Sequence, residues 1–478
     1  MSESSASPTH ATAVNRRKEN TLSPVPSSFR DPSGQVLFDG NNYLRIVRQS
    51  YQPHYDHLMQ SGLYARLVEE NLLVPHEELA APREPDAYKL LRPRQVPFIS
   101  YPYEWCFSQW RDAARTTLRI QELAIEHGMI LKDASAFNIQ FLDGTPVLID
   151  TLSFELLGEP QPWVAYGQFC RHFLAPLALM SYRDPRLGRL LQTHLDGVPL
   201  DLASALLPRR TRWRLWLRIH LHWHAASERK FKDATKADAG RKSYSLNSPR
   251  GLVASLQGAI ERLAPPHSVE DWASYYGGTV TGGDYVAHKE KTVRAWLTEL
   301  RPDMVWDLGA NTGLFSRIAA GLGAYTVAFD SDPGCVDLNY LAARKSGEKK
   351  LLPLLLDLAN PTPALGWDNT ERMSFTRRGR PEVVLALALV HHLALANNVP
   401  LDRIASFFAG FSPRLIIEFV PKTDPNAQKL LRVRADIFPG YTQAGFESAF
   451  GQYFVIERTE PMANSERVLY RMIRRSGV

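Results

Sequence analysis

From residue 304 onward the apolar positions fall in short uninterrupted runs separated by segments of helical spacing. The runs are MVWDL (304–308), YTVAF (325–329), LLPLLLD (351–357), EVVLALAL (382–389) and RLIIEFV (414–420). Runs that are apolar throughout, rather than at alternate positions, predict strands of a parallel sheet covered on both faces. Between them, GLFSRIAAGL and PGCVDLNYLAARKSG carry helical spacing, with Pro333 suited to a first turn and Gly347 to a C-cap. The end of the chain differs. FVIERTE (454–460) and RVLYRMIR (467–474) flank the turn-prone PMANSE, which predicts an antiparallel pair. Together these predict a Rossmann-like, doubly wound α/β sheet closed by an antiparallel terminal hairpin.

Before residue 270 the pattern is less regular. The polar start reads as a disordered tail over 1–28, with no apolar stretch of the secretory kind. A first α+β domain is predicted over 29–240, a polar connector over 241–269, and the α/β domain over 270–478. The 478 residues fit this division, since one core rarely serves a chain of that length. Inside the connector region, GLVASLQGAIERLA has helical spacing, and the Gly-rich YYGGTVTGGDY follows it.

Composition narrows the setting. No apolar run approaches the roughly 20 residues that span a bilayer. Three cysteines, Cys106, Cys170 and Cys335, show no paired spacing, so a disulfide framework is disfavoured and a reducing cytoplasm fits best. The net charge of +6 is modest but concentrated. The segment RRTRWRLWLRIHLHWHAASERKFK carries Arg209, Arg210, Arg212, Arg214, Arg218, Arg229, Lys230 and Lys232 beside Trp213, Trp216 and Trp223. Two readings are open: contact with an anionic partner, or a helix with a buried Trp/Leu face and a solvated Arg face. The run His220-x-His222-x-His224 lies in it. Only His220 and His224 share a helix face, so no metal site is expected.

The most specific chemistry lies at 305–319, VWDLGANTGLFSRIA. A strand ends in Asp307, passes through Gly309, Asn311 and Gly313, and opens a helix. Glycines there let backbone approach a ligand, and Asn tolerates the left-handed region. The second strand ends in AFDSDP, placing Asp330 23 residues after Asp307. A carboxylate at that point can accept hydrogen bonds from ribose hydroxyls. Asp357 ends the third strand. The series DLGANTG, AFDSDP, LLDLANP and LALALVHHL resembles the successive motifs of class I S-adenosylmethionine methyltransferases over roughly 270–478. The resemblance implies that Asp307, Gly309, Asn311 and Gly313 surround the methionine part of S-adenosyl-L-methionine, that Asp330 holds the ribose, and that Asp357 approaches the adenine. Wider stretches, including GWDNTERMSFTRRG and IIEFVPKTD, resemble a bacterial methyltransferase-like family that includes the NoeA-type nodulation proteins. A dinucleotide dehydrogenase is disfavoured, because Gly309-Ala-Asn-Thr-Gly313 lacks the Gly-x-Gly-x-x-Gly spacing.

His391 and His392 end the fourth strand, where the transferred methyl should point; a near-neutral imidazole there can take a hydroxyl proton. Glu418 and Lys422, at the end of the fifth strand, are further candidates to face the acceptor. No Asn/Asp-Pro-Pro-aromatic motif and no Pro-Cys pair follows the fourth strand, so a small molecule, glycan or protein outranks a nucleobase as acceptor.

The first domain holds HGMILKDASAFNIQFLDGTPVLIDTLSFE at 127–155. Asp133, Asn138 and Asp150 have the spacing of the catalytic Asp and two metal-binding residues of the kinase and aminoglycoside-phosphotransferase fold, which this region resembles. A Gly-rich phosphate loop and a Val-Ala-Ile-Lys strand are missing, and Leu131-Lys132 precedes the Asp. Lys89 is the candidate substitute for the missing lysine. The expected activity is methyl transfer, with a degenerate kinase-like domain selecting the acceptor. The alternatives are a bifunctional or atypical phosphotransferase and a non-catalytic cofactor-sensing module.

Overall fold

The computed structural model describes residues 22–80, 84–158, 163–226, 248–265, 283–432 and 436–477. Most of the predicted tail (1–21), residues 227–247 with Arg229, Lys230 and Lys232, and the Gly-rich 275–282 lie outside the described residues.

The N-terminal half begins with an antiparallel sheet of β1 (Ser23–Pro24), β2 (Gly34–Phe38), β3 (Tyr43–Arg48), β4 (His76–Leu79) and β5 (Ala87–Pro93), in the order β1-β2-β3-β5-β4. Helices α1 (Gln52–Gln60) and α2 (Leu63–Glu69) lie between β3 and β4. The long α3 (Phe107–Glu126) follows, burying Trp110, Ala113, Ala114, Leu118 and Leu123. Two short antiparallel pairs come next: β6 (Met129–Leu131) with β9 (Phe154–Leu156), and β7 (Ile139–Leu142) with β8 (Thr145–Leu148). The β7–β8 turn places Asp143 and Gly144 at positive φ, the geometry an Asp-Gly hairpin favours. Residues 166–226 are mainly helical.

Within the predicted connector, Ser248–Glu261 is a helix that buries Leu252, Val253, Leu256 and Ile260 and packs on α3. Its Glu261 pairs with Arg115 of α3. This stretch is part of the core rather than a free link.

The C-terminal half is a seven-stranded sheet. Its strands are β10 (Met304–Leu308), β11 (Tyr325–Asp330), β12 (Leu351–Leu355), β13 (Val383–Ala386), β14 (Arg414–Phe419), β15 (Phe454–Pro461) and β16 (Val468–Arg474). The order is β12-β11-β10-β13-β14-β16-β15. The first five strands are parallel and β16 runs antiparallel to β14 and β15, as the sequence pattern predicted. The order reverses between β10 and β13, the point at which open α/β sheets leave a crevice for ligands.

Strand β12 carries Pro353, which cannot donate a ladder hydrogen bond and therefore suits an edge. The N-terminal half covers that edge. Gln109 Nε2 of α3 donates to the Pro353 carbonyl at 2.9 Å, and Asp337 accepts from the amide and hydroxyl of Ser108, capping the start of α3. Phe98 meets the rings of Trp306 and Phe329 edge-on. Between the halves lies a buried, bidentate ion pair of Glu104 and Arg378, with Glu104 also accepting from Thr362 Oγ1 and the Tyr101 amide. One hydrophobic cluster runs from Leu58 through α3 to Met472.

Breaking a buried ion pair on one side leaves an unpaired charge, typically costing about 3–5 kcal/mol. Arg378→Met should therefore lower unfolding free energy by about 3 kcal/mol, as read by denaturant titration. Tryptophan fluorescence and far-ultraviolet circular dichroism should still report one coincident transition. Two separated transitions in the wild-type protein would contradict the shared core.

Candidate functional site

The loop after β10 turns sharply because three of its five residues adopt the left-handed region: Gly309 (φ 81°), Asn311 (φ 50°) and Gly313 (φ 83°). The amides of Gly309 and Ala310 both donate to the Phe329 carbonyl, which ties the loop to β11. Gly313 has a further reason to be glycine. A Cβ there would lie 2.1 Å from Asn339 Oδ1, so the helix Leu314–Gly321 could not pack against the helix Pro333–Ser346. At Gly309 a Cβ would meet only Leu389 at an ordinary 3.4 Å, so conformation alone demands glycine there.

The three sequence-predicted carboxylates come together at the carboxyl ends of adjacent strands. Asp307 is buried and accepts from Ser316 Oγ at 2.5 Å. Burial pushes its carboxyl up to about 6; Ser316 opposes the shift, Asp330 adds to it and Lys289 opposes it. Its first role is to anchor the helix that opens after the loop. Asp330 accepts from the Asn311 amide at 2.7 Å and the Asp332 amide at 2.9 Å. Burial raises its pKa, and those two amides work against the rise. Asp357 lies just beyond β12 and accepts from the Ala359 amide. The Leu356 amide donates to the Asp330 carbonyl at 2.8 Å, holding the second and third strand ends side by side. Among the described residues, none of these three carboxylates is in an ion pair.

Beyond β13, Ala388 has φ 50°, a conformation costing an L-residue roughly 1 kcal/mol, and it turns the chain into His391 and His392. The imidazoles lie against each other with centroids 4.2 Å apart and planes tilted by 44°. His391 is only 1% exposed, and neither ring nitrogen has a hydrogen-bond partner. Burial first, then His392, Arg467 and Lys289, push its pKa well below the usual histidine range. The ring is therefore neutral at physiological pH.

Glu418 does not offer a free carboxylate to an acceptor. It is fully buried; Oε2 takes Lys289 Nζ at 2.6 Å and Oε1 accepts from the Tyr285 hydroxyl. Arg467 donates to the same hydroxyl at 3.0 Å and holds Asp424 with two further bonds. Glu418 is thus a positioning residue. Lys422 is likewise occupied, by Asp436 and the Phe438 carbonyl. Sequence reasoning missed Lys289 and Arg467. The signal for Lys289 was present: it falls on the apolar stripe Tyr285, Val293, Trp296 of the helix Gly283–Leu300, where a lysine needs a buried partner.

In the N-terminal half, Asp133, Asn138 and Asp150 also converge. Asp133 accepts from the Ser135 amide and Gln168 Nε2, while Asn138 donates to Ser153 Oγ. Burial and the charge of Asp150 raise the pKa of Asp133. Asp150 accepts from Ser153 Oγ at 2.6 Å and pairs with Arg45 at 2.7 Å. Lys89 is elsewhere, paired with Glu78. The cation beside Asp150 is Arg45 of β3, which no motif marked.

The His-x-His-x-His run has structural partners. His220 is bonded to Tyr166 and Ser255, and His222 to Ser204 and Thr211, while His224 stacks on Tyr166.

Strand order, switch-point loop and antiparallel hairpin define the class: a Rossmann-like, doubly wound α/β protein. Compared over 459 residues, the chain is 33% identical to Nodulation protein NoeA of Rhizobium meliloti (strain 1021), covering 93% of this chain and 95% of that protein; it belongs to the NoeA family. No family model matches it. Among solved structures it is similar to magnesium protoporphyrin IX methyltransferase (ChlM) from Synechocystis PCC 6803 with bound SAH, at 21% identity and TM-score 0.31, covering 43% of this chain and 94% of that one. It is also similar to WbdD in complex with a kinase inhibitor, at 15% identity and TM-score 0.29, covering 42% and 43% respectively.

The Asp307 carboxyl has a measurable consequence. Its folded pKa of about 6 lies above the ordinary 3.8, so the folded state holds the proton more tightly and stability is lost as pH rises between those values. Each pH unit of such a difference is worth about 1.4 kcal/mol. Asp307→Asn should therefore gain on wild type by up to about 3 kcal/mol between pH 4 and pH 6–7, with little further change above. Denaturation midpoints across that range check this; a constant gap would show that burial does not penalise the charge.

Proposed function

We propose that the chain transfers a methyl group from S-adenosyl-L-methionine to a nucleophile on a small molecule, glycan or protein. One observation carries the reading. Three carboxylates, two of them desolvated, meet at the ends of three adjacent parallel strands beside a left-handed Gly/Asn turn, and none of them is in an ion pair among the described residues. Such a set suits ribose hydroxyls, an adenine amine and a positively charged sulfur. The cofactor, when bound, supplies an electrophilic methyl whose bond to sulfur breaks as the acceptor's lone pair attacks in line.

The chain's own part is alignment. Asp330 holds the ribose, with the Asn311 amide it already accepts fixing its orientation. Asp357 faces the adenine side, and the backbone of Gly309–Gly313 borders the methionine part. Asp307 keeps that loop in place through Ser316. If the acceptor is a hydroxyl, the neutral His391 ring orients it by accepting its hydrogen bond, because a depressed pKa leaves the imidazole unsuited to storing the proton. Burial keeps that imidazole neutral, and Arg467 and Lys289 of the Tyr285–Lys289–Glu418–Arg467 network add to the effect. The relative's name, a nodulation protein, is compatible with any of these acceptors.

A second reading concerns the N-terminal trio. The convergence of Asp133, Asn138 and Asp150 supports a kinase-like scaffold over 29–240. Phosphoryl transfer needs its metal-binding carboxylate available, and Arg45 pairs with Asp150. The scaffold therefore serves recognition rather than phosphoryl transfer.

Calorimetric titration with S-adenosylhomocysteine and, separately, with Mg-ATP tests both readings. Binding of the first is expected in the wild type and lost in Asp330→Ala, with the variant's circular dichroism unchanged. Near-normal affinity in that variant would remove the ribose assignment. Saturable Mg-ATP binding abolished by Asp150→Ala would favour phosphoryl transfer. Labelled methyl incorporation into lysate fractions of small molecules, glycans, proteins and RNA identifies the acceptor. His391→Ala should cut that incorporation by roughly tenfold, the worth of one orienting hydrogen bond of about 1.4 kcal/mol, while leaving S-adenosylhomocysteine binding intact.

A further inference from the structure

The basic, tryptophan-containing segment has two parts: from Leu215 on it is a helix that buries Leu217 and Leu221 and partly buries Trp216, as one sequence reading allowed, whereas Arg209–Arg214 lie outside that helix. It enters as a tight turn at Arg209–Trp213, and the helical stretch resumes only at Leu215. Trp213 is 85% exposed and Leu215 57% exposed. Arg209, Arg210, Arg212 and Arg214 are exposed around them, and no acidic residue occurs between Asp201 and Glu228. Among the described residues, none of these four arginines is in an ion pair.

The turn is held from beneath. Thr211 is buried; its hydroxyl donates to the Pro208 carbonyl at 2.7 Å and is bonded to His222 Nε2 at 3.0 Å, and His222 Nδ1 is bonded to Ser204 Oγ at 2.8 Å. Leu217 is buried as well. The aromatic and aliphatic side chains are therefore presented outward by an anchored backbone.

We propose that the face formed by Arg209, Arg210, Arg212, Trp213, Arg214 and Leu215 docks on the surface of an anionic lipid bilayer. Two chemistries on the page select this occupant. Four exposed guanidinium groups with no ion pair among the described residues form a cationic cluster complementary to an anionic surface, and a charged leaflet attracts such clusters over about a Debye length. Trp213 and Leu215 require an apolar phase next to that charge. An indole sits at the headgroup level of a membrane, with its ring in the apolar boundary and its N–H in the wet layer. Leu215 has no π-face on which a base could stack, so a nucleic acid would satisfy the arginines and leave the leucine in water. Charge also argues against the chain's own segment 227–247 as occupant. It carries Arg229, Lys230, Lys232, Lys236, Arg241 and Lys242 against Glu228, Asp233 and Asp238, adding like charge. Docking is independent of the methyl-transfer reading, because none of these side chains belongs to the crevice at the carboxyl ends of β10–β13.

The test uses the full chain and sedimentation with vesicles. One set is phosphatidylcholine alone and the other an equimolar mixture with phosphatidylglycerol. Binding is expected to the mixed vesicles, weakening with added salt, and to be at least roughly tenfold weaker on phosphatidylcholine alone. Trp213→Ser combined with Leu215→Ser should weaken mixed-vesicle binding by roughly tenfold, and Arg209→Gln, Arg212→Gln and Arg214→Gln together should do the same. Both variants should keep the wild-type melting temperature and S-adenosylhomocysteine affinity, since the replaced side chains are exposed. Failure to bind mixed vesicles, or undiminished binding by the Trp213/Leu215 variant, would overturn the proposal. So would a single-stranded RNA oligomer that binds through these residues and displaces the vesicles, which would assign the face to nucleic acid.

Discussion

The Asp330 carboxylate accepting the Asn311 amide is the contact on which the candidate site depends. It joins the loop after the first strand of the sheet to the end of the second, and it does so with a half-buried carboxylate that is in no ion pair among the described residues. Because β10 and β11 are paired in register from Met304 to Leu308, that bond and the Gly309 and Ala310 amides on the Phe329 carbonyl fix where the left-handed turn sits above the sheet. Gly313 completes the constraint, since Asn339 leaves no room for a side chain there. The pocket's shape therefore follows from backbone geometry rather than from mobile side chains.

The N-terminal half completes the sheet structurally. An edge strand bearing Pro353 needs a cover, and α3 with Gln109 provides it. The Glu104–Arg378 pair, desolvated and held bidentate, makes the junction specific in orientation.

Much of the C-terminal sheet was legible because its strands are apolar throughout and its helices carry ordinary start and stop signals. Pro333 and Gly347 bound their helix as predicted, and Asp332 caps it. The fourth strand was read too long. It ends at Ala386 because Ala388 takes a left-handed conformation that alanine does not advertise. The three carboxylates were legible from their places after strands. Glu418 was misread as facing an acceptor, since its partner Lys289 lies 129 residues away and only tertiary packing brings them together. Arg45 beside Asp150 was hidden for the same reason. In the basic segment, composition marked the charge but could not tell a buried tryptophan from one held outward by Thr211 and His222.

Hydrogen–deuterium exchange on the full chain, with and without S-adenosylhomocysteine, tests the central claim most directly. The account predicts slowed exchange at the amides of 309–313, 331–332 and 357–359, with residues 133–153 unchanged. Protection confined to 133–153, or none at the loop after β10, would contradict it.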